Sequence, residues 1–220
     1  EYGRIKSNST VLDVGCGTGR FTLSISSAKS PMLYALDLSI EMLKQAAAKD
    51  EARGILWVRG DGQRLPFRDN LFDCIYMTLV IHHMEDKEAA LRELYRTLKE
   101  GGSCVIMTNS HSRLKKHILR DFPGVIAIDL RRFPSVPSIR ETMRKIGFRS
   151  VHHHIVQQDE GYVSTDEYLK RVRSKYISTL TLLSEEEFQK GFGIFQQRVW
   201  RKHGSRIRLI TGFDFVVGQK

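Results

Sequence analysis

Leu12-Asp13-Val14-Gly15-Cys16-Gly17-Thr18-Gly19 is the stretch from which the fold of this chain is read. It closes an apolar run, TVLDVG at residues 10–15, that reads as a buried strand. A glycine turn then leads into a helix over about residues 19–28. Glycines at 15, 17 and 19 accept positive φ and let a ligand approach the backbone, because no Cβ stands in the way. The spacing is G-x-G-x-G, which differs from the G-x-G-x-x-G of a pyrophosphate-binding turn. Asp13, just before the glycines, would repel a pyrophosphate and attract an ammonium group, directly or through water. Both features disfavour a nicotinamide-dependent oxidoreductase and fit a ligand that carries an amino acid.

Outward from this turn, short apolar runs alternate with amphipathic stretches. MLYALD (residues 32–37), ILWVR (55–59), FDCIYMTL (72–79) and SCVIMT (103–108) read as four further strands. Ser39 caps a helix whose inner face is Leu43, Ala46 and Ala47. Ala90, Leu91, Leu94 and Leu98 stripe a helix over residues 87–99, closed by Gly101-Gly102. Near-continuous apolar strands joined by helices are the pattern of βαβ units, so the expected fold is a doubly wound, Rossmann-like α/β sheet, mostly parallel. In such a sheet a ligand sits beyond the carboxyl ends of the strands. Asp37, at the end of the second strand, can there accept both ribose hydroxyls of an adenosine-like ligand. Leu38 and Met42 are placed to flank a purine, and the core is their other possible place. Asp61, between Gly60 and Gly62, is placed to accept from an adenine amine, although Asp between glycines is also a common turn-former.

The second half is less regular. Residues 111–122 read as a basic helix stopped near Pro123, and Pro134 and Pro137 bracket a turn. Ser138 starts a helix over 139–146, and residues 148–156 read as a strand. Residues 157–204 carry helical signals, including a capping box of Ser184 and Glu187. Residues 206–217 return to strand character. No boundary is evident, so one domain is expected over 1–220, with a ligand-binding half at 1–110 and a partner-side half at 111–220 containing a helical insertion at about 157–204.

The net charge is +10, from 35 basic and 25 acidic side chains. Residues 1–110 hold 14 of each sign, and residues 111–220 hold 21 basic against 11 acidic, so the whole excess lies in the second half. That asymmetry favours an anionic partner. Three cysteines, Cys16, Cys74 and Cys104, show neither disulfide nor zinc spacing and read as free, buried thiols. His152-His153-His154 is a poor metal site: residues adjacent on a strand alternate faces, so at most two share one, and no Cys or carboxylate partner is evident. No metal is expected. No apolar run approaches the roughly 20 residues needed to span a bilayer, and no secretory leader is evident. A cytoplasmic location is the expectation, for a chain that opens on Glu1 rather than Met.

LDVGCGTGRF, ALDLSIEML, GDGQRLPFRDNLFDCIYMTLVIHHMED and LRELYRTLKEGG occur in this order and spacing over about residues 9–108. As an ordered set they resemble the small-molecule-type class I methyltransferases, including those of ubiquinone and menaquinone biosynthesis. The resemblance implies a seven-stranded sheet whose last strand is antiparallel, S-adenosyl-L-methionine as donor and S-adenosyl-L-homocysteine as product. It implies that Asp13, Gly15, Cys16, Gly17 and Gly19 surround the methionine part of the donor. Asp37 corresponds to the ribose-binding acid, Leu38 and Met42 lie beside it, and Asp61 with Gly62 corresponds to the adenine-edge contacts. Thr78 and Leu79 would lie near the sulfonium. About nine residues precede the first strand, whereas the family usually has a longer N-terminal helical segment.

Methyl transfer from a sulfonium is an in-line displacement in which positioning does much of the work. A base is needed only where the acceptor must lose a proton. His82 and His83, just beyond the fourth strand, are the candidates for that role, with helix entry or packing as the alternative. In this fold the acceptor pocket is usually built from the regions matching residues 111–134 and 157–204. Their Arg113, Lys115, Lys116, Arg131, Arg132, Arg171 and Arg173 point to an anionic small-molecule acceptor, and Tyr162, Tyr168 and Tyr176 are candidate lining residues. An RNA methyltransferase acting on a modified tRNA base is the competing reading, carried by the basic second half. It lacks a recognisable RNA-binding module and the Asn-Pro-Pro-aromatic tetrapeptide of base-amine enzymes. A non-catalytic module that keeps only the donor site has nothing in the sequence to favour it.

Overall fold

The apolar runs of the first half become strands β1 (Thr10–Val14), β2 (Met32–Asp37), β3 (Leu56–Arg59), β4 (Phe72–Thr78) and β5 (Leu98–Thr108). They are seen in a computed structural model that describes residues 2–29, 32–49, 52 and 54–220. Helices α1 (Arg20–Lys29), α2 (Ile40–Ala47) and α3 (Lys87–Thr97) connect them, with a 3-10 turn at Ile81–His83. Further on come α4 (His111–Leu114), α5 (Val125–Arg132), α6 (Val136–Ile146), β6 (Arg149–Ser164), α7 (Thr165–Arg173), α8 (Ser178–Thr181), α9 (Glu185–His203) and β7 (Arg206–Gln219). The sheet has seven strands in the order β3-β2-β1-β4-β5-β7-β6. Strands β1 to β5 pair in parallel and β7 runs antiparallel to β5, as the resemblance implied. The order reverses between β1 and β4, which opens a crevice at the carboxyl ends of these strands.

Two compact units make up the chain: residues 1–108, 135–154 and 214–220 in the first, residues 109–134 and 155–213 in the second. The first unit has apolar packing on both sheet faces. Leu12, Val14, Ile75 and Met77 pack with Leu91 and Leu94 of α3 and Ile139 and Met143 of α6. Val11, Leu33, Ala35 and Tyr76 form the other cluster, with Leu23 of α1 against it. The second unit has its own core around Phe122, Leu169, Val172, Phe188 and Phe195.

Several boundaries differ from the sequence reading. Gly101 and Gly102 do not close a helix; α3 ends at Thr97 and both glycines lie inside β5. The β4–β5 register shifts there, from Phe72 opposite Leu98 to Cys74 opposite Ser103, and Gly101 at φ 75° absorbs the bulge. The basic helix expected over 111–122 stops at Leu114. His117 is extended, and its Nδ1 accepts the Leu119 N–H at 3.1 Å to start a separate 3-10 turn. Burial holds His117 well below the usual imidazole range, at about 4, which suits a neutral acceptor. Helix α6 is capped by Ser135 rather than Ser138, so Pro137 sits in its first turn, where a missing N–H costs nothing. Strand β6 continues to Ser164, and the helical segment therefore begins at Thr165 rather than near 157. Gln157 to Glu160 are all exposed and polar, which hides the strand period, while Asp159 meets Arg208 and Glu160 meets Thr211. The capping box is present as read: Glu187 N–H donates to Ser184 Oγ and Ser184 N–H to Glu187 Oε2. Tyr168 is a core residue of the second unit, 3.3 Å from Tyr176 between hydroxyls, and Tyr162 is exposed.

Candidate active site

Gly15, Cys16 and Gly17 leave β1 in a turn that the neighbouring strand holds shut. Leu36 O accepts from Gly15 N–H at 2.7 Å and from Cys16 N–H at 3.0 Å. Gly15 has φ 73°, and a Cβ there would stand 2.5 Å from both Val80 methyls, so only glycine fits. Asp37, at the end of β2, accepts the Gly17 N–H on Oδ2 at 2.7 Å and the Ser39 N–H on Oδ1 at 2.9 Å. Ser39 in turn caps α2 by accepting the Met42 N–H.

These elements border a cleft of about 520 Å³, within the roughly 300–1,000 Å³ range of small-molecule sites. Asp13, Gly15, Cys16 and Gly17 line it from β1 and its turn, Asp37, Leu38 and Met42 from β2 and α2, Asp61 and Gly62 from the end of β3, and Thr78 and Leu79 from the end of β4. Leu38 is 67% exposed and Met42 is 42% exposed, so neither is a core residue. Asp61 accepts the Gln63 N–H at 2.8 Å while lining the cleft, so it shapes the turn as well. Leu79 holds φ 54°, a conformation that costs a side-chain-bearing residue roughly 1–3 kcal/mol, and its N–H is tied to Met107 O at 2.9 Å. His83 lines the cleft; His82 is buried, with its ring 4.2 Å from that of His83. Gly19 stands apart from the cleft lining. It has φ 76°, and a Cβ there would stand 2.8 Å from the Trp57 indole and 3.2 Å from the Ala46 Cβ.

Asp13 is 1% exposed. Burial pushes its carboxyl up to about 7, and Asp37 adds to this, while the hydroxyls of Thr22 and Tyr76 pull the other way. Oδ2 accepts the Thr22 hydroxyl at 2.5 Å, whereas Oδ1 is buried without a hydrogen-bond partner. Burial, with Asp13 and Asp37 nearby, also pushes the Cys16 thiol up, so that it stays protonated at neutral pH.

Residues 12–106 match the model of the methyltransferase domain family. The ubiquinone/menaquinone biosynthesis C-methyltransferase UbiE of Klebsiella pneumoniae (strain 342) is 29% identical over 189 residues, covering 72% of this chain and 75% of its own. Among solved structures, a putative methyltransferase from an antibiotic biosynthesis pathway of Anabaena variabilis ATCC 29413 superposes with a TM-score of 0.78 at 19% identity, over 100% of this chain and 94% of that one. Phosphoethanolamine N-methyltransferase 2 of Haemonchus contortus, in complex with S-adenosyl-L-methionine, has a TM-score of 0.60 at 19% identity, over 100% of this chain and 50% of its own. Residues 12–106 form a methyltransferase domain, and the chain is an S-adenosylmethionine-dependent methyltransferase.

The cleft has features that suit this methyltransferase's donor. An unpartnered acid oxygen lies beside the glycine turn, and the Val80 side chain leaves no room for a Cβ at Gly15. Sequence reasoning passed over several lining residues, among them Arg20, Phe21, Gln63 and Met84. It also passed over Thr22 and Tyr76 beside Asp13. Strand alternation offered a signal for Tyr76, which lies opposite Asp13 in the β1–β4 register. No pattern in the chain marks Thr22, which reaches Asp13 only once α1 packs on the sheet. Among the described residues no helix is long and apolar enough to cross a membrane, and no cluster of metal-ligating side chains is found.

Proposed function

We propose that the enzyme transfers a methyl group from S-adenosylmethionine, held in this cleft, to an anionic small molecule. The reading rests on one observation: the carboxyl ends of β1, β2, β3 and β4 converge on a single cleft, each bringing the residue type that one part of the donor needs. Asp37 would accept the ribose hydroxyls, Leu38 and Met42 would flank the adenine, and Asp61 and Gly62 would meet its edge. Asp13 and the turn of Gly15, Cys16 and Gly17 would take the methionine end. Thr78 and Leu79 would stand near the sulfonium, where in-line geometry supplies much of the rate.

Bound S-adenosylmethionine supplies an electrophilic methyl on a good leaving group. The protein has to place the acceptor and, where the acceptor is a phenol or an enolisable carbon, to take a proton. His83, on the cleft wall, and His82 beside it are the candidates. The name of the UbiE relative as a C-methyltransferase favours an acidified carbon as acceptor. The 21 basic against 11 acidic side chains of residues 111–220 favour an acceptor that carries negative charge.

Calorimetric titration with S-adenosylmethionine, S-adenosylhomocysteine and NAD in parallel tests the donor. Binding of the first two and not the third is expected; binding of NAD alone would overturn the reading. Methyl transfer from labelled donor to a panel of anionic phenols and β-keto acids, with tRNA in a parallel arm, tests the acceptor. Salt-sensitive labelling of tRNA alone would replace the small-molecule reading by the RNA one.

A further inference from the structure

Asp13 is a buried carboxyl group with an unfinished hydrogen-bond shell. It lies on β1, opposite Ala35 of β2 and Tyr76 of β4, and faces the underside of α1. Thr22 of α1, fully buried, gives its hydroxyl to Oδ2. Oδ1 makes no well-formed hydrogen bond, and neither does the hydroxyl of Tyr76, a residue only 5% exposed, so the two have at most a weak contact with each other. The two orphaned oxygens are close enough to act on one another: Tyr76 pulls the carboxyl down, and Asp13 pushes the phenol up. Among the described residues, the titratable groups that interact with Asp13 are Asp37 from the end of β2, Cys16 from the glycine turn and Tyr76 from β4, none of them a cation.

A buried carboxylate without a cation is costly, and the group escapes the cost by holding its proton. A ligand that brings an ammonium group into the cleft removes the reason to hold it. The donor assigned under the proposed function carries such a group at its methionine end. We infer that Asp13 exchanges a proton for the donor's ammonium group, and that Thr22 and Tyr76 are positioning residues that hold its carboxyl for the exchange. The carboxylic acid of the empty site gives its proton to solvent, and the carboxylate left behind pairs with the ammonium. No bond to carbon or sulfur changes, and the step is complete before methyl transfer. The inference depends on the donor assignment, so its test must tell the two apart.

Donor binding to the intact protein is titrated calorimetrically at pH 6, 7 and 8, each in two buffers of different ionisation enthalpy, which counts protons released. S-adenosylmethionine is compared with 5′-methylthioadenosine, which keeps the nucleoside and lacks the amino acid. With a carboxyl near 7, release should be about 0.9 proton at pH 6, about half at pH 7 and about 0.1 at pH 8, and affinity should fall roughly tenfold from pH 8 to pH 6. Methylthioadenosine should release none. Tyr76→Phe and Thr22→Val remove hydroxyls that favour the charged carboxyl, so both should move the release profile to higher pH. A merely structural role would weaken binding equally at every pH. Asp13→Asn, close in shape, should abolish release. Tight binding of S-adenosylmethionine at pH 6 without proton release overturns the inference and leaves the donor assignment standing. Failure of both nucleosides to bind overturns the inference and the donor assignment together.

Discussion

Asp37 Oδ2 accepts the Gly17 N–H at 2.7 Å, so the acid assigned to the ribose also braces the turn assigned to the methionine end. Its Oδ1 accepts the Ser39 N–H at 2.9 Å at the entry to α2. Each oxygen has one lone pair committed to the protein and one left for a ligand hydroxyl. Asp37→Ala should therefore abolish donor binding and lower stability by about 1–3 kcal/mol, because two N–H groups lose their acceptor. Calorimetry and urea unfolding of the same variant check both halves. Unchanged affinity would show that the ribose contact is misassigned.

Gly15→Ala combines two faults: a positive φ and a Cβ 2.5 Å from the Val80 methyls. A loss of at least 1–2 kcal/mol is expected, together with loss of donor affinity. Val80→Ala in the same chain removes the two 2.5 Å methyl contacts, leaving the 2.9 Å contact to the residue 80 Cβ and the dihedral penalty, so it should restore part of the stability. Full recovery in the double variant would show that backbone conformation at this turn contributes nothing.

Leu38 and Met42 are apolar and exposed. Changing them to Ser and Gln should leave the melting temperature nearly unchanged, since exposed positions contribute little to folding. Donor affinity should fall by about 1 kcal/mol for each side chain that would otherwise flank the adenine. Equal loss of stability and affinity would return both residues to a structural role.

His82→Ala with His83→Ala should reduce turnover and spare donor affinity, because neither residue is among those assigned to the donor. Single variants separate the pair. His83 lines the cleft and should carry most of the loss, while buried His82 should cost stability more than rate. Wild-type turnover in the double variant would remove both from the chemistry.

The fully buried Asp13 also makes a prediction for the free protein. Its carboxyl stands near 7 when folded, against an ordinary value of 3.8. Folding is thus favoured by the protonated form, and that contribution is complete below about pH 4 and lost as pH rises through 7. Asp13→Asn should melt above wild type at pH 8, and the difference should shrink or reverse at pH 4. A pH-independent difference would mean that the carboxyl does not stay protonated in the folded chain.

Much of the cleft lining could be read from the chain because its signals are local. TVLDVG followed by G-x-G-x-G gives a strand and a turn within ten residues, and Asp37 and Asp61 each close an apolar run. Boundaries failed where a local signal had two outcomes. Gly101-Gly102 suits a helix end as well as a bulge, and the polar run from Gln157 to Glu160 suits a helix as well as a strand edge.

Strand-and-helix alternation, the glycine turn and the acid at each strand end were all implicit in the linear order of residues, since each depends on side-chain periodicity or on dihedrals within a few positions. Three features needed the packed molecule: the exposure of Leu38 and Met42, the separation of His83 on the cleft wall from buried His82, and the enclosure of Asp13 by Thr22 and Tyr76. The reason is physical. Burial, and with it the protonation of a carboxyl group, depends on what other segments bring to within a few ångströms. Thr22 is nine positions from Asp13 and Tyr76 is sixty-three, and only the assembled sheet and helix bring them together.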